Sequence, residues 1–312
     1  MRLRPPSRAV SDHTGRGGPE ATTASIGPHR VLHLEDVAGG SGEADGAPTV
    51  VLEAGAASTR SIWALVRQGL AGHVRSVAYD RAGLGRSPAA AGPRRLEQLA
   101  DDLNALLDTL EVTIPGGASP GFVLVGHSWG GPIVRLAAAH RPERIRGLVL
   151  LDPADELCEY YFTAGFSRMN RIQGVLFPPL ACLGVLGPMY ARTVPMLPER
   201  ARRDSRAEMY TPKAVRTQIA ESADMAGDLV ELRDLVAAYD GPAVPVTVVS
   251  GASSAGVGAS LRAQLNEAHR RRAERGDPGR FVLAESSGHL VMLTQPELVC
   301  AEILRVARLQ RR

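Results

Sequence analysis

From about residue 28 the chain alternates short, nearly continuous apolar runs with longer segments whose apolar positions recur every three or four residues. Seven runs read as strands: 29–36 (HRVLHLED), 48–55 (PTVVLEAG), 74–80 (VRSVAYD), 121–127 (GFVLVGH), 145–152 (IRGLVLLD), 245–251 (PVTVVSG) and 280–286 (RFVLAES). Few polar residues interrupt them, as in strands buried on both faces. Between them, Leu96, Leu99, Leu103, Leu106, Leu107 and Leu110 fall at helical spacing and mark one buried helix face. Strands alternating with amphipathic helices predict an α/β fold, a mostly parallel sheet flanked by helices.

The alternation breaks after Asp152 and resumes near Pro245. The intervening stretch is rich in aromatic, Met and Pro residues and then in Arg and Glu, and it is too long for a loop. It reads as a helical cap inserted after the strand that ends at Asp152. The expected organisation is a disordered tail over 1–27, a first core segment over 28–155, a cap over 156–240 and a second core segment over 241–312. The tail is rich in Arg, Pro, Gly and Ser and lacks the apolar run of a secretory signal. Residues 38–47, AGGSGEADGA, read as a flexible hairpin loop between the first two of the seven strands.

Composition narrows the classes. The 36 Lys+Arg against 33 Asp+Glu give a formal net charge of +3, and Lys213 is the only lysine. No run of arginines interleaved with aromatics marks a nucleic-acid partner. Cys158, Cys182 and Cys300 are odd in number and widely spaced, which predicts buried free thiols without disulfide or metal chemistry. The 20 residues over 172–191 carry no charge, but Pro178, Pro179 and Pro188 break them, so they read as an apolar lid rather than a membrane span. A cytoplasmic enzyme without cofactor or metal, acting on a small molecule, is the expectation.

The chemistry concentrates in GFVLVGHSWGGPIVRLAAAHRPE. There Gly126, Ser128 and Gly130 form G-x-S-x-G between an apolar strand and an Ala-rich helix. A sharp turn at that junction needs small flanking residues, because the serine backbone is strained and its side chain must project above the sheet. Together with VVLEAGAAS (50–58), YDRAGLGRS (79–87), LVLLDPADE (148–156) and SSGHLVMLTQPELV (286–299), in that order, the chain resembles the α/β-hydrolase superfamily, in particular its capped bacterial serine esterases, over residues 28–308.

The resemblance implies Ser128 as nucleophile and His289, in the loop after the last strand, as base. Backbone N–H groups of Trp129 and Ala56 are the implied oxyanion donors. Many relatives carry His-Gly where this chain has Ala54 and Gly55, which removes a side chain that often braces that loop. His127 reads as packing beneath the elbow, and His269 as a helix-end residue. The stretch 245–260, where an acid partner for His289 is first sought, holds no carboxylate. Asp152 is the first choice, since some capped members such as the haloalkane dehalogenases supply the acid one strand earlier; Asp155 is the alternative, and Asp152 also reads as a strand-end cap.

Serine at the elbow sets this chain apart from relatives that attack with aspartate. Lys213 lies far from the elbow, and no G-K-[ST] phosphate loop exists. The function expected is a carboxylic-ester hydrolase acting on a small or medium apolar substrate. Tyr160, Tyr161, Phe162, Phe166 and Met169 are candidate pocket walls. Two alternatives stand beside it: a ligand-binding or sensor protein on the same fold with vestigial turnover, and a lipase whose 172–191 lid docks on lipid.

Overall fold

The computed structural model describes residues 20–28, 30–39, 47–113, 121–192, 194–237 and 244–309. The strands are β1 (Glu20–Gly27), β2 (Arg30–Val37), β3 (Thr49–Glu53), β4 (Ser76–Tyr79), β5 (Phe122–His127), β6 (Ile145–Leu151), β7 (Val246–Gly251) and β8 (Gly279–Ala284). They form one eight-stranded sheet in the order β1-β2-β4-β3-β5-β6-β7-β8. β1, β2 and β4 pair antiparallel, and from β4 to β8 every pairing is parallel. This is the α/β-hydrolase fold.

Neighbouring residues of the central strands feed two separate cores. Val51, Leu124, Leu148, Leu150 and Val248 face one way, and Val50, Leu52, Val123, Val125, Val149 and Val249 the other. The first face is covered by α2 (Leu96–Thr113) and α3 (Gly130–His140), the second by α1 (Ala64–Leu70) and α11 (Pro296–Arg308). All six leucines at helical spacing in α2 are buried on the first face. Each such burial stabilises by about 1.5–3 kcal/mol before its ordering entropy is counted.

Between β6 and β7 run α4 (Ala164–Cys182), α5 (Leu186–Ala191), α6 (Glu199–Glu208), α7 (Pro212–Glu221) and α8 (Met225–Ala237). Residues 172–191, read from sequence as a lid, fall in the second half of α4, with Pro178 and Pro179 inside it, and in α5. Among the described residues no helix is long and apolar enough to cross a membrane. α8 does not belong to a separate layer, although it lies in the stretch expected to be cap: Leu229 and Leu232, three apart, join the core beside α2 and α3. After β7 and β8 come α9 (Ala259–Ala273) and α10 (Val291–Thr294), ahead of α11.

Three expectations need correction. Residues 20–27, read as tail, form β1: Ala24 and Ile26 turn inward onto the α2 core while Thr23 and Ser25 stay exposed. Inward residues that small give too weak a local signal without β2 and α2 beside them. Residues 38–47 are not a hairpin connection, because β2 pairs with β1 and β4 and never with β3; residues 40–46 themselves lie outside the described residues, as do 1–19 of the tail. Cys182 is exposed at the end of α4, whereas Cys158 and Cys300 are buried.

Candidate active site

Parallel register brings the ends of β3, β5, β6 and β7 to one edge of the sheet. Glu53 pairs with Gly126, His127 with Leu151 and Leu151 with Val249, so the loops that follow these strands emerge side by side. Ser128 and Asp152 are the next residues after the His127–Leu151 pair. Both take left-handed backbone angles, φ 52° for Ser128 and φ 41° for Asp152. Non-glycine residues adopt this region at a cost of order 1–3 kcal/mol and keep it only where the surroundings enforce it. Here Ser128 N–H donates to Leu151 O at 3.1 Å, Ala154 N–H to Ser128 O at 3.0 Å and Asp152 N–H to Val249 O at 2.8 Å, which ties the two turns together.

The elbow glycines are required by close approach. A Cβ on Gly126 would sit 2.5 Å from Gly130 O, and one on Gly130 would sit 2.6 Å from Glu53 O and 2.9 Å from Ala54 O. Gly55 lies just as close on the other side, its Cβ position 3.0 Å from Ser128 Cβ. The backbone before Ala56 therefore runs directly beside the serine. Trp129 caps the N-terminus of α3, where a backbone N–H has no acceptor within the helix.

His289 Nδ1 lies 2.7 Å from Asp152 Oδ2. A carboxylate there accepts the Nδ1 proton and leaves Nε2 of the neutral ring unprotonated, the tautomer a base needs. The His289 side chain is 45% exposed, whereas that of Asp152 is 1% exposed. Asp152 is gripped from beneath as well: Arg262 Nη1 donates to Oδ1 at 2.6 Å and Nη2 to Oδ2 at 3.2 Å, and Gly251 N–H donates to Oδ1 at 3.0 Å. Burial alone would raise its pKa, but the His289 hydrogen bond and charge, the nearby His269 and the Arg262 hydrogen bond together hold the carboxyl below the ordinary carboxylate range.

Asp155, the alternative acid, is engaged elsewhere. It is fully buried, and Arg272 reaches it through Nε at 2.7 Å and Nη2 at 2.9 Å. Its carboxylate Oδ1 also accepts from Leu157 N–H at 2.9 Å. Arg272 hydrogen-bonds Glu156 as well, and Arg135 holds Glu156 in a two-pronged pair at 2.7 Å. The structure thus brings Asp152, and not Asp155, to His289.

Two further histidines flank the pair. His127 Nε2 lies 3.0 Å from His289 O, and the two rings are 4.6 Å apart at 45°. Because that partner is a carbonyl, Nε2 carries the proton; burial and the neighbouring His289 ring push the His127 pKa down to about 3. His269, read from sequence as a helix-end residue, is fully buried in α9 instead, with Nδ1 2.6 Å from Ser250 Oγ and Nε2 2.8 Å from Pro153 O. Burial lowers its pKa, and its two hydrogen bonds brace the turn that follows Asp152.

Sequence reasoning did not find Arg262, Ser250 or His269. Arg262 and His269 share one face of α9 at a spacing of seven, but nothing local says that this face meets Asp152. The expected pocket walls divide: Tyr161 and Phe162 pack against the core, Met169 is 40% exposed, and Phe166 stacks edge-on against Tyr160 and Tyr161 at 5.3 and 5.2 Å. Phe166 also lines a cavity of about 480 Å³ with Asn170, Val175, Phe177, Ile219 and Met225, between α4 and the α7–α8 connection.

At this sheet edge the structure brings together a serine on a strained strand-to-helix turn and a histidine hydrogen-bonded to a buried carboxylate. Residues 50–302 match the model of the alpha/beta hydrolase family, and the chain belongs to that family. An AB hydrolase superfamily protein of Gibberella zeae is 28% identical over 291 residues, 85% of this chain and 87% of that protein. Two other curated relatives are each 33% identical over 135 and 106 residues, which are 18% and 40% of their own lengths. Among solved structures, Cfl2 from Burkholderia cenocepacia superposes with a TM-score of 0.70 at 18% identity, covering 93% of this chain and 96% of that one. A thermophilic esterase from Thermogutta terrifontis does so with a TM-score of 0.66 at 22% identity, over 93% and 100%.

Proposed function

We propose that this hydrolase is a cofactor-independent serine hydrolase of carboxylic esters that works through an acyl-enzyme on Ser128. The observation that carries the reading is the 2.7 Å His289–Asp152 contact beside the left-handed turn at Ser128. His289 Nε2 takes the Ser128 hydroxyl proton as Oγ bonds to the ester carbonyl carbon. The carbonyl oxygen becomes an oxyanion facing the backbone N–H groups of Trp129 and Ala56. The C–O bond to the alcohol then breaks, and His289 returns the proton to the leaving oxygen. A water, deprotonated by His289, attacks the acyl carbon, and collapse releases the acid and restores Ser128. Asp152 stabilises the imidazolium in both halves.

Tyr161, which lies close enough to Asp152 to feel its charge, packs edge-on against Phe166 at 5.2 Å, and this aromatic pair beside the site supports an apolar substrate of small or medium size. Labelling with a fluorescent fluorophosphonate tests the nucleophile without knowledge of the substrate. The expected result is a labelled wild type and an unlabelled Ser128→Ala variant. A folded wild type that does not label would remove the proposal and leave a ligand-capturing role for the site. A series of p-nitrophenyl esters then locates the preferred acyl length.

A second reading rests on a different observation. Ile172, Val175, Leu176, Leu183, Val185 and Met189 of the α4–α5 segment are all exposed, Val175 by 69% and Leu183 by 74%. An apolar face of this kind supports action at a lipid surface. Flotation with phosphatidylcholine vesicles tests it: protein that stays at the bottom of the gradient with and without lipid would sink this reading.

A further inference from the structure

Arg81, at the end of β4, is 3% exposed and spends every N–H it has. Nη1 donates to Ala54 O at 2.6 Å and to Glu53 Oε1 at 2.6 Å. Nη2 donates to Gly55 O at 3.0 Å and to Glu221 Oε2 at 2.7 Å, and Nε to Glu221 Oε1 at 3.1 Å. Its guanidinium therefore holds the two carbonyls that precede Ala56. Gly55 O belongs to the same planar trans peptide as the Ala56 N–H, and in such a unit the two groups point in opposite directions. Anchoring the oxygen on Arg81 aims the N–H away from Arg81. Gly55 O also accepts from Ser58 N–H at 3.2 Å, and Ala57 beside it has φ 58°, so the turn is held from both sides.

Glu221, the other anchor of Arg81, comes from α7, among the helices inserted between β6 and β7. Lys213, Thr217 and Glu221 follow one another at four-residue spacing on one face of that helix. Lys213 Nζ donates to Gly85 O at 2.9 Å and Ser87 O at 2.8 Å. Thr217 presses on Gly83, which has φ 86° and where a side-chain carbon would collide with the threonine. One helix face thus grips the loop 81–87 at three points, and the last of them is the arginine that holds the Ala54 and Gly55 carbonyls.

We infer that Arg81 is a positioning residue for the Ala56 oxyanion donor and that α7, through Glu221, latches it in place. The inference rests on the proposed serine-hydrolase reading. Seating of α7 on the 81–87 loop and alignment of the oxyanion donor are then one event, because a displaced Glu221 would leave Arg81 with Glu53 as its sole carboxylate and free its fork to turn.

The test compares wild type, Arg81→Lys and Glu221→Gln. Fluorophosphonate titration counts active sites, p-nitrophenyl butyrate turnover gives kcat and KM, and a trifluoromethyl ketone probes the tetrahedral oxyanion adduct. Lysine keeps the charge but cannot span two carbonyls and two carboxylates. The expected result for Arg81→Lys is a kcat per titrated site lower by roughly 10- to 100-fold, a KM within about twofold of wild type and a ketone inhibition constant raised in step with the kcat loss. Glu221→Gln is expected to show the same pattern at about 3- to 10-fold. A purely structural role would lower the melting temperature and the number of titrated sites and leave kcat per site unchanged, and that result would overturn the inference. If Arg81→Lys shows no cooperative melt, Glu221→Gln decides alone, and a wild-type kcat and ketone affinity in it would overturn the inference. Failure of wild type to label at all would instead strike the serine-hydrolase reading.

Discussion

Arg262, in the first turn of α9, grips both carboxylate oxygens of Asp152, at 2.6 and 3.2 Å, while His289 shares one of them at 2.7 Å. Asp152 is 2% exposed, so the Arg262 contact is made out of water. Arginine stays charged at every accessible pH, and Asp152 consequently remains ionised and fixed in direction whatever the state of His289. A carboxylate clamped in this way cannot rotate out of line with the imidazole.

Asp152→Asn and Asp155→Asn separate the two roles. The first is expected to lower kcat per folded molecule by about 10³- to 10⁴-fold, because an amide can no longer stabilise the imidazolium or impose the right tautomer. The second leaves Arg272 and Arg135 short of a buried partner and is expected to cost about 3–5 kcal/mol of stability with kcat per folded molecule nearly unchanged. Esterase assays normalised to the folded fraction from urea titration check both. Equal, small effects on kcat would remove Asp152 from the mechanism.

Arg262→Gln strands a buried carboxylate with His289, the Gly251 N–H and a long Ser250 hydroxyl contact for support. The expected loss at pH 7 is about 3–5 kcal/mol. In the wild type the Asp152 pKa is depressed below its ordinary 3.8, so its stabilisation is present above about pH 4 and drains away as the pH falls further. Without Arg262 the folded-state pKa rises, protonation relieves the stranded charge, and the gap to wild type narrows on acidification. Urea unfolding at pH 7 and pH 4 reads the gap; one that widens at pH 4 would contradict this account.

His127 predicts a second acid-dependent loss. Its pKa is lowered from 6.5 to about 3, so folding favours the neutral ring; that stabilisation is complete above about pH 6.5 and is lost progressively as the pH falls from 6.5 to 3. His127→Gln retains an N–H for the His289 carbonyl but has nothing to titrate. Its melting temperature is expected to depend less steeply on pH between 6.5 and 4 than that of wild type, and parallel curves would count against the assignment.

Gly126→Ala and Gly130→Ala place a methyl group 2.5 Å from Gly130 O and 2.6 Å from Glu53 O, backbone atoms that cannot swing aside. Each is expected to destabilise by more than about 3 kcal/mol, or to abolish soluble expression. Gly72→Ala is the control: a Cβ there meets nothing within 4 Å, although its φ of 82° still carries some strain. Thermal melts of the three variants give the ranking.

Local pattern carried the fold a long way. All seven apolar runs appear as β2 to β8, shifted at their ends by no more than two residues, and the six leucines of α2 point into one core. Burial on both faces of a strand and on one face of a helix leaves a periodic trace that needs no knowledge of partners. β1 escaped because ATTASI offers only Ala24 and Ile26 to the interior, side chains whose burial depends on β2 and α2 being there first. α8 escaped as a core helix because Leu229 and Leu232 do not reveal which layer they face.

The chemistry divides along the same line. The residues from Gly126 to Gly130 form a continuous segment, so steric demand and spacing wrote the strained turn into the chain itself, and the loop position of His289 could be read the same way. In the sequence the choice of Asp152 over Asp155 rests on resemblance alone, since the two lie three residues apart and both are buried carboxylates. Sheet register and the docking of α9 decided it, sending Arg262 and His289 to one and Arg272 to the other. Arg81 and Glu221 meet across 140 positions of sequence for the same reason. Periodicity reports which side chains leave water, whereas the pairing of buried charges is fixed only when distant segments are brought within a few ångströms, and that is a property of the tertiary structure alone.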